Sequence, residues 1–282
     1  MANDFSGDPN CVALWRFEDT PGFVVDSQGS NDLTNTGADE ENTYYKEGSQ
    51  SSKFVKSSGD EMNIADADLD VGFPWRYNDG GSAEKDFSIC FWIRLNTLPS
   101  ILGAISYIAS KYSTAAPGLR SFAINLQSTT DLPLLTDCLA ANLGITSGTS
   151  FEGYTVQGYP FVINRWYHVA VRYDDSARRV YFTAWDDTAG NYLFQNEYYD
   201  YSGTTEIEDV QFSVGARSDQ SGTLDGYLDE MVVFNRVITS DEVDVIRQGT
   251  FSFGWTGKIC GVTNPSKICG IAVVDIAKVS GI

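Results

Sequence analysis

The sequence predicts an all-β protein: an antiparallel two-sheet jelly-roll sandwich with one short helix and a β-rich carboxy-terminal tail. Three observations predict it. First, Phe87, Ile89, Phe91, Ile93 and Leu95 alternate with Ser88, Cys90, Trp92 and Arg94, a period of two that gives a strand two faces. Second, aromatic residues make up 13% of the chain and 26 glycines punctuate it, a composition that favours pleated segments joined by turns. Third, helical periodicity is nearly absent. A length of 282 residues suits one large sandwich over residues 1–252 and an appendage over 253–282.

The elements follow in order. An opening strand over 12–17 ends at an acidic turn, and Val24 and Val25 lead into a loop at Asp26. Short strands are expected at 42–46, 52–56 and 61–64, and Gly72 to Gly81 reads as a loop. After the central strand at 87–95, strands at 104–111 and 120–127 continue the meander, while 132–143 reads equally as strand or short helix. Residues 166–173 alternate again, Asp174, Asp175 and Ser176 turn the chain, and 179–185 returns as a hairpin. A strand at 210–215 precedes the last core strand. Thr239 and Glu242 then have capping-box spacing, starting a short helix through Arg247 that Gly249 ends.

The segment LDGYLDEMVVFNRVIT, residues 224–239, is the most informative. In regular strand geometry Asp229 shares a face with Met231 and Val233, so its carboxylate points where core side chains point. An unpaired ion taken out of water costs several kcal/mol. With 38 Asp and Glu against 19 Lys and Arg, a bound cation is expected as the partner, and calcium is the natural one.

That segment resembles the last core strand of laminin G-like domains, members of the concanavalin A-like jelly-roll superfamily that also holds pentraxins and many lectins. CVALWRFED followed by VVDSQGSNDLT resembles the opening strand and its Asp-x-x-Gly-x-Asn loop; FSICFWIRL and RWYHVAVRYD resemble two central strands. The resemblance covers about residues 8–250. It implies a calcium site in which Asp26 and Asp229 give carboxylates and the chain around Gly29 and Asn31 gives backbone oxygens. The alternative is that Asp26 caps a turn and Asp229 bonds to backbone amides.

A net charge of −19 argues against nucleic acid as a partner, because phosphate contacts need basic patches. No apolar run is long enough to cross a bilayer, and MANDFSGDPN lacks the basic start and apolar stretch of a secretory signal. Synthesis in a cytoplasm is therefore expected. Cys11 and Cys90 sit in apolar stretches and read as buried free thiols; Cys138, Cys260 and Cys269 complete an odd count that makes no disulfide framework.

Beyond Phe253 the composition changes. Lys258-Ile259-Cys260-Gly261-Val262 recurs as Lys267-Ile268-Cys269-Gly270-Ile271 and as Lys278-Val279-Ser280-Gly281-Ile282. Units this small make no core alone, so they are expected to pack on the sandwich or on another copy, with Lys258, Ile259, Gly261, Lys267, Ile268, Gly270 and Ile271 as assembly residues. The tail is similar to those of phage or other particle-forming proteins.

His168, the only histidine, reads as a packed core residue. Glu206 and Glu208 would share a strand face, as the acids of a glycosidase must, but the third acid that superfamily glycosidases carry is missing. Sugar sites pair an open ring with hydrogen-bonding groups, and two loops have that composition: Trp75 and Tyr77 with Asn78 and Asp79, and Tyr198 and Tyr199 with Asp200 and Tyr201. The leading expectation is a non-catalytic structural and adhesive protein of a virion or extracellular surface. It would be calcium-stabilised and self-associating. The alternative is a glycan-binding module, and a hydrolase on the same scaffold comes third.

Overall fold

The computed structural model describes residues 3–77, 85–102, 105–114, 119–128, 136–145 and 150–252, with the backbone alone for 145, 150–155 and four short tail strands. Fifteen strands build the sandwich: β1 (Cys11–Trp15), β2 (Thr34–Thr36), β3 (Asp39–Glu41), β4 (Ser51–Phe54), β5 (Glu61–Ile64), β6 (Phe87–Leu95), β7 (Ser106–Tyr112), β8 (Arg120–Gln127), β9 (Cys138–Ile145), β10 (Ser150–Thr155), β11 (Trp166–Asp174), β12 (Arg179–Asp186), β13 (Asn191–Asp200), β14 (Phe212–Val214) and β15 (Gly226–Phe234). One sheet has eight strands in the order β13-β12-β11-β6-β15-β4-β3, with β1 also paired to β15; the other has seven, in the order β10-β9-β8-β7-β14-β5-β2. Helices α1 (Pro99–Leu102) and α2 (Ser240–Arg247) complete it.

The period of two read in the sequence decides which side chains meet between the sheets. Phe87, Ile89, Phe91, Ile93 and Leu95 of β6 face Ile108, Phe122, Ile124, Leu126 and Phe212 of the opposite sheet in one buried cluster. Trp15 stacks on Phe212 with ring centroids 5.5 Å apart. Inside this core Lys111 is fully buried, paired with Asp66 and donating to the carbonyl of Val210 at 2.7 Å. The capping box at α2 is formed: the Glu242 amide donates to the Thr239 hydroxyl and the Thr239 amide to the Glu242 carboxylate.

Several elements differ from the sequence reading. The strand expected at 42–46 lies earlier, at Asp39–Glu41, and 42–46 turns instead. Residues 138–145 are strand, resolving the ambiguity of 132–143 for its described part. Tyr198 and Tyr199 belong to β13, not to a loop, because strand β12 continues past its hairpin into a ten-residue partner. Trp75 is in irregular chain as expected, but its ring is fully buried. A left-handed backbone (φ 65°) turns the side chain inward, where it meets Phe87, Phe122 and Tyr173 edge-on and donates to the Lys85 carbonyl at 2.7 Å.

Asp229 is the largest correction. Between Asp229 and Val232 the pairing of β15 with β6 carries a β-bulge, with Glu230 at φ 46°. One extra residue inverts the alternation: Leu228, Met231 and Val233 face the inter-sheet core, whereas Asp229 lies beside Trp92 on the opposite face.

Replacement of Trp75 by alanine removes a core ring and is expected to destabilise the fold by about 3–5 kcal/mol. Urea unfolding checks this; a loss below about 1 kcal/mol would mean the ring is not packed as described.

Candidate functional site on the outer face of the eight-stranded sheet

Each outward position of one strand meets an outward position of the next. Tyr227, Arg94 and Trp166 form one cross-strand row over β15, β6 and β11. Asp229, Trp92, His168, Trp185 and Tyr192 form a second over β15, β6, β11, β12 and β13. The rows lie two residues apart along each strand, about 7 Å.

The connection between β3 and β4 folds over one end of these rows. The amides of Lys46 and Glu47 donate to Asp229 Oδ2 at 2.7 and 3.1 Å. Lys46 Nζ lies 4.5 Å from the Trp92 ring centre and pairs with Asp187 at 2.8 Å. The Arg94 guanidinium lies 3.9 Å from the Tyr44 ring centre and 5.2 Å from that of Tyr227, and it donates to Asn164 Oδ1 at 3.0 Å. Tyr44 stays 41% exposed, and Trp166 and Trp185 are half-buried, so each ring keeps area open to a ligand. Arg247 of α2 stacks 3.9 Å from the Trp185 ring centre.

Burial sets the charge states. Desolvation, with the neighbouring charges of Glu230 and Glu18, raises Asp229 to about 8 against the two amide bonds that lower it. Its Oδ1 is buried with no hydrogen-bond partner. Burial likewise raises Glu230 to about 7, although Arg16 pairs with it at 2.8 Å. His168 is pushed down to about 3 by burial and by Arg247, so it is neutral and acts as a ring under Trp92, 5.0 Å between centroids.

A family model described as the concanavalin A-like lectin/glucanases superfamily, Laminin_G_3, matches residues 75–244. The chain belongs to that superfamily. No curated protein matches its sequence. Among solved structures it is similar to domain 4 of AbnA, an extracellular arabinanase from Geobacillus stearothermophilus in complex with arabinotriose, at 12% identity and TM-score 0.53, covering 84% of this chain and 98% of that one. It is also similar to the binding domain of Paraclostridial Mosquitocidal Protein 1 (14%, TM-score 0.54) and to the botulinum neurotoxin type G receptor binding domain (12%, TM-score 0.50). It covers 51% of each of these, about half their length. At such identities the likeness is one of fold.

Within this concanavalin A-like frame the residues singled out from sequence fall in separate places. Asp26 is buried and fully engaged: Oδ1 accepts from the amides of Leu14 and Gln28, and Oδ2 from the amide and side chain of Asn31. Asn31 in turn accepts from the Asp70 amide at 2.8 Å, and Gly29 packs so closely that a Cβ would meet Asp70 Oδ2 at 2.7 Å. The loop is thus an internally bonded plug on the far edge of β1, where Asp26 bridges Trp15, while Asp229 lies across β1 on β15. The donor set does not fit one calcium ion shared by Asp26, Gly29, Asn31 and Asp229. Among the described residues no group of three or more His, Cys, Asp or Glu side chains is placed to hold a metal.

Of the expected sugar-contacting rings, Trp75 is in the core, Tyr77 is 48% exposed and Tyr199 packs inward. Tyr198 is 51% exposed on the outer face, under the Arg179 guanidinium at 4.1 Å. Asn78 and Asp79, and the tail residues Cys260, Gly261, Cys269 and Gly270, lie outside the described residues. Lys258–Ile259 pairs with Val262–Thr263, and Lys267–Ile268 with Ile271–Ala272, as two small hairpins. Cys11, Cys90 and Cys138 are buried free thiols, and burial raises Cys90 to about 12. Sequence reasoning missed Trp92, Arg94, Trp166 and Trp185, although their outward parity was visible in the very alternation that located the strands.

Because Asp229 titrates near 8 in the fold against 3.8 for the free side chain, the folded state binds more protons than the unfolded chain between those values. The contribution of Asp229 to stability is therefore full near pH 4 and is lost as pH rises to about 8, by on the order of several kcal/mol. Denaturant unfolding across that range is expected to show the decline in the wild type and a flatter profile in Asp229→Asn; parallel profiles would refute the assignment.

Proposed function

We propose that the protein is a non-catalytic glycan-binding module whose ligand lies on the outer face of the eight-stranded sheet. The observation that carries the reading is the set of partly open rings Tyr44, Trp166 and Trp185, placed on rigid strands or clamped to them, with Arg94, Asn164, Lys46 and Asp187 between them. Sugar rings present apolar C–H faces that stack on aromatic planes, and their hydroxyls take hydrogen bonds from fixed polar groups. Membership of the lectin/glucanase superfamily supports this, as does likeness to an arabinanase domain in complex with arabinotriose. The non-catalytic part is supported by Glu206 and Glu208, which lie in irregular chain between β13 and β14 rather than on an alternating strand.

On a glycan array, Trp166→Ala and Trp185→Ala are each expected to weaken binding by about tenfold or more, given ring-stacking contributions of about 0.5–1.5 kcal/mol plus lost area. Wild-type protein that binds no glycan, or variants that bind equally well, would remove the reading.

A cation at Asp229 is a second proposal, resting on its buried, unpartnered Oδ1; Glu230 is held by Arg16 and Glu18 by Ser49, so further oxygens would come from the backbone and water. Added calcium is expected to raise the thermal midpoint of the wild type and not that of Asp229→Asn. The same response in both would dismiss it.

A further inference from the structure

Helix α2 lies across the outer face, its Val243 and Ile246 packed on Cys90, Ala170 and Val232. It separates the aromatic rows from a cavity of about 350 Å³ lined by Arg172, Tyr181, Asn196, Val237, Ile238, Thr239 and Ser240. Arg172 projects to the same face as Trp166 and His168, further along β11.

Arg172 is only 5% exposed. Its terminal nitrogens donate to neutral oxygens, the Ile238 carbonyl at 3.1 Å and Asn196 Oδ1 at 2.5 Å, and its Nε is buried without a hydrogen-bond partner. No salt bridge to it is formed among the described residues. Arginine does not deprotonate, so this positive charge persists, and a buried charge without a counter-ion costs several kcal/mol. In a chain with 38 acids and 19 bases, such a pocket without an acid is conspicuous. Several other cations are paired with acids: Arg236 holds Asp8 and Glu242, and Arg179 holds Asp200.

We propose that this cavity binds the carboxylate-bearing ring of an acidic sugar, of the uronic acid type. The carboxylate supplies the counter-charge that the Arg172 guanidinium, which lines the cavity, lacks, and the planar fork of that guanidinium suits a planar carboxylate once Asn196 Oδ1 gives way to it. The Tyr181 ring, 5.2 Å from the guanidinium, and the apolar side chains of Val237 and Ile238 form walls suited to a sugar's C–H face. Asn196, Thr239 and Ser240 offer hydroxyl and amide groups to ring hydroxyls. This site is independent of the aromatic rows and of what they bind.

Calorimetry or NMR titration of the whole chain with glucuronate, with glucose and with inorganic sulfate tests the proposal. Saturable glucuronate binding is expected, with glucose at least about tenfold weaker and sulfate a poor competitor. Arg172→Lys, which keeps the charge but loses the fork, and Ser240→Trp, which fills the cavity while keeping the Arg172 side chain, are each expected to lower glucuronate affinity about tenfold. Trp166→Ala is expected to leave it unchanged, which separates this site from the glycan face. Absence of saturable glucuronate binding in the wild type overturns the proposal. So does binding that Ser240→Trp, folded by its thermal transition, leaves within about twofold of wild type, or sulfate competing as well as glucuronate.

Discussion

A single extra residue in β15 arranges the outer face. Were β15 regular, Asp229 would stand between the sheets beside Met231 and Val233, where an acid has only apolar neighbours. The bulge at Glu230 moves it across the sheet to Trp92 and turns Glu230 toward Arg16. An acid so placed still has to be desolvated, and the backbone amides of Lys46 and Glu47 meet it. Those two bonds draw the β3–β4 connection down onto the sheet. With it come Tyr44 over Arg94 and Lys46 over Trp92, so the polar and aromatic groups of the candidate site follow from one irregularity in a strand.

The other half of that face is closed by the chain leaving β15. Ser88 of β6 donates from its hydroxyl to the Arg236 carbonyl and accepts from the Ile238 amide, stitching the exit of β15 to the centre of the sheet. Arg236 then clamps Asp8 and Glu242 together, holding the amino-terminal segment and α2 side by side. Phe5, Phe234 and Phe251 pack beneath as a second, smaller core. The helix is thereby fixed as a ridge, and the surfaces on its two sides have unlike chemistry: stacked rings on one, a cavity with a buried guanidinium and apolar walls on the other.

Strand alternation made the sandwich legible, since Phe87 to Leu95 and Trp166 to Asp174 send every second side chain between the sheets, even though most of the others are covered on the outer face as well. The capping box at Thr239 was legible for the same reason: its chemistry is local. The parity of Asp229 was not, because a bulge depends on register against β6 and leaves no composition signal. Trp75 misled because an aromatic residue among Gly, Pro and Asn looks like a loop ring, while only the positive φ at that residue, invisible in sequence, turns it inward. The Asp26 loop was located correctly by its Asp, Gly and Asn spacing, but its oxygens are consumed by Leu14, Gln28 and Asn31, a cost of closing the turn that spacing alone does not reveal.

Charge distribution constrains what either side of α2 accepts. Arg94 and Arg172 both stand on the outer face bonded to neutral oxygens and rings rather than to acids, while the chain as a whole carries −19. At physiological salt the repulsion from distant acids is screened within about 8 Å, so a small ligand that reaches Arg172 feels mainly that guanidinium. A long polyanion lies over more of the acidic surface and meets the repulsion along its length. On the proposed binding at Arg172, an isolated acidic sugar, or one at a chain end, is therefore favoured over a continuous acidic polymer. The difference widens as salt is lowered, because the short-range contact is nearly unscreened while the surrounding field grows.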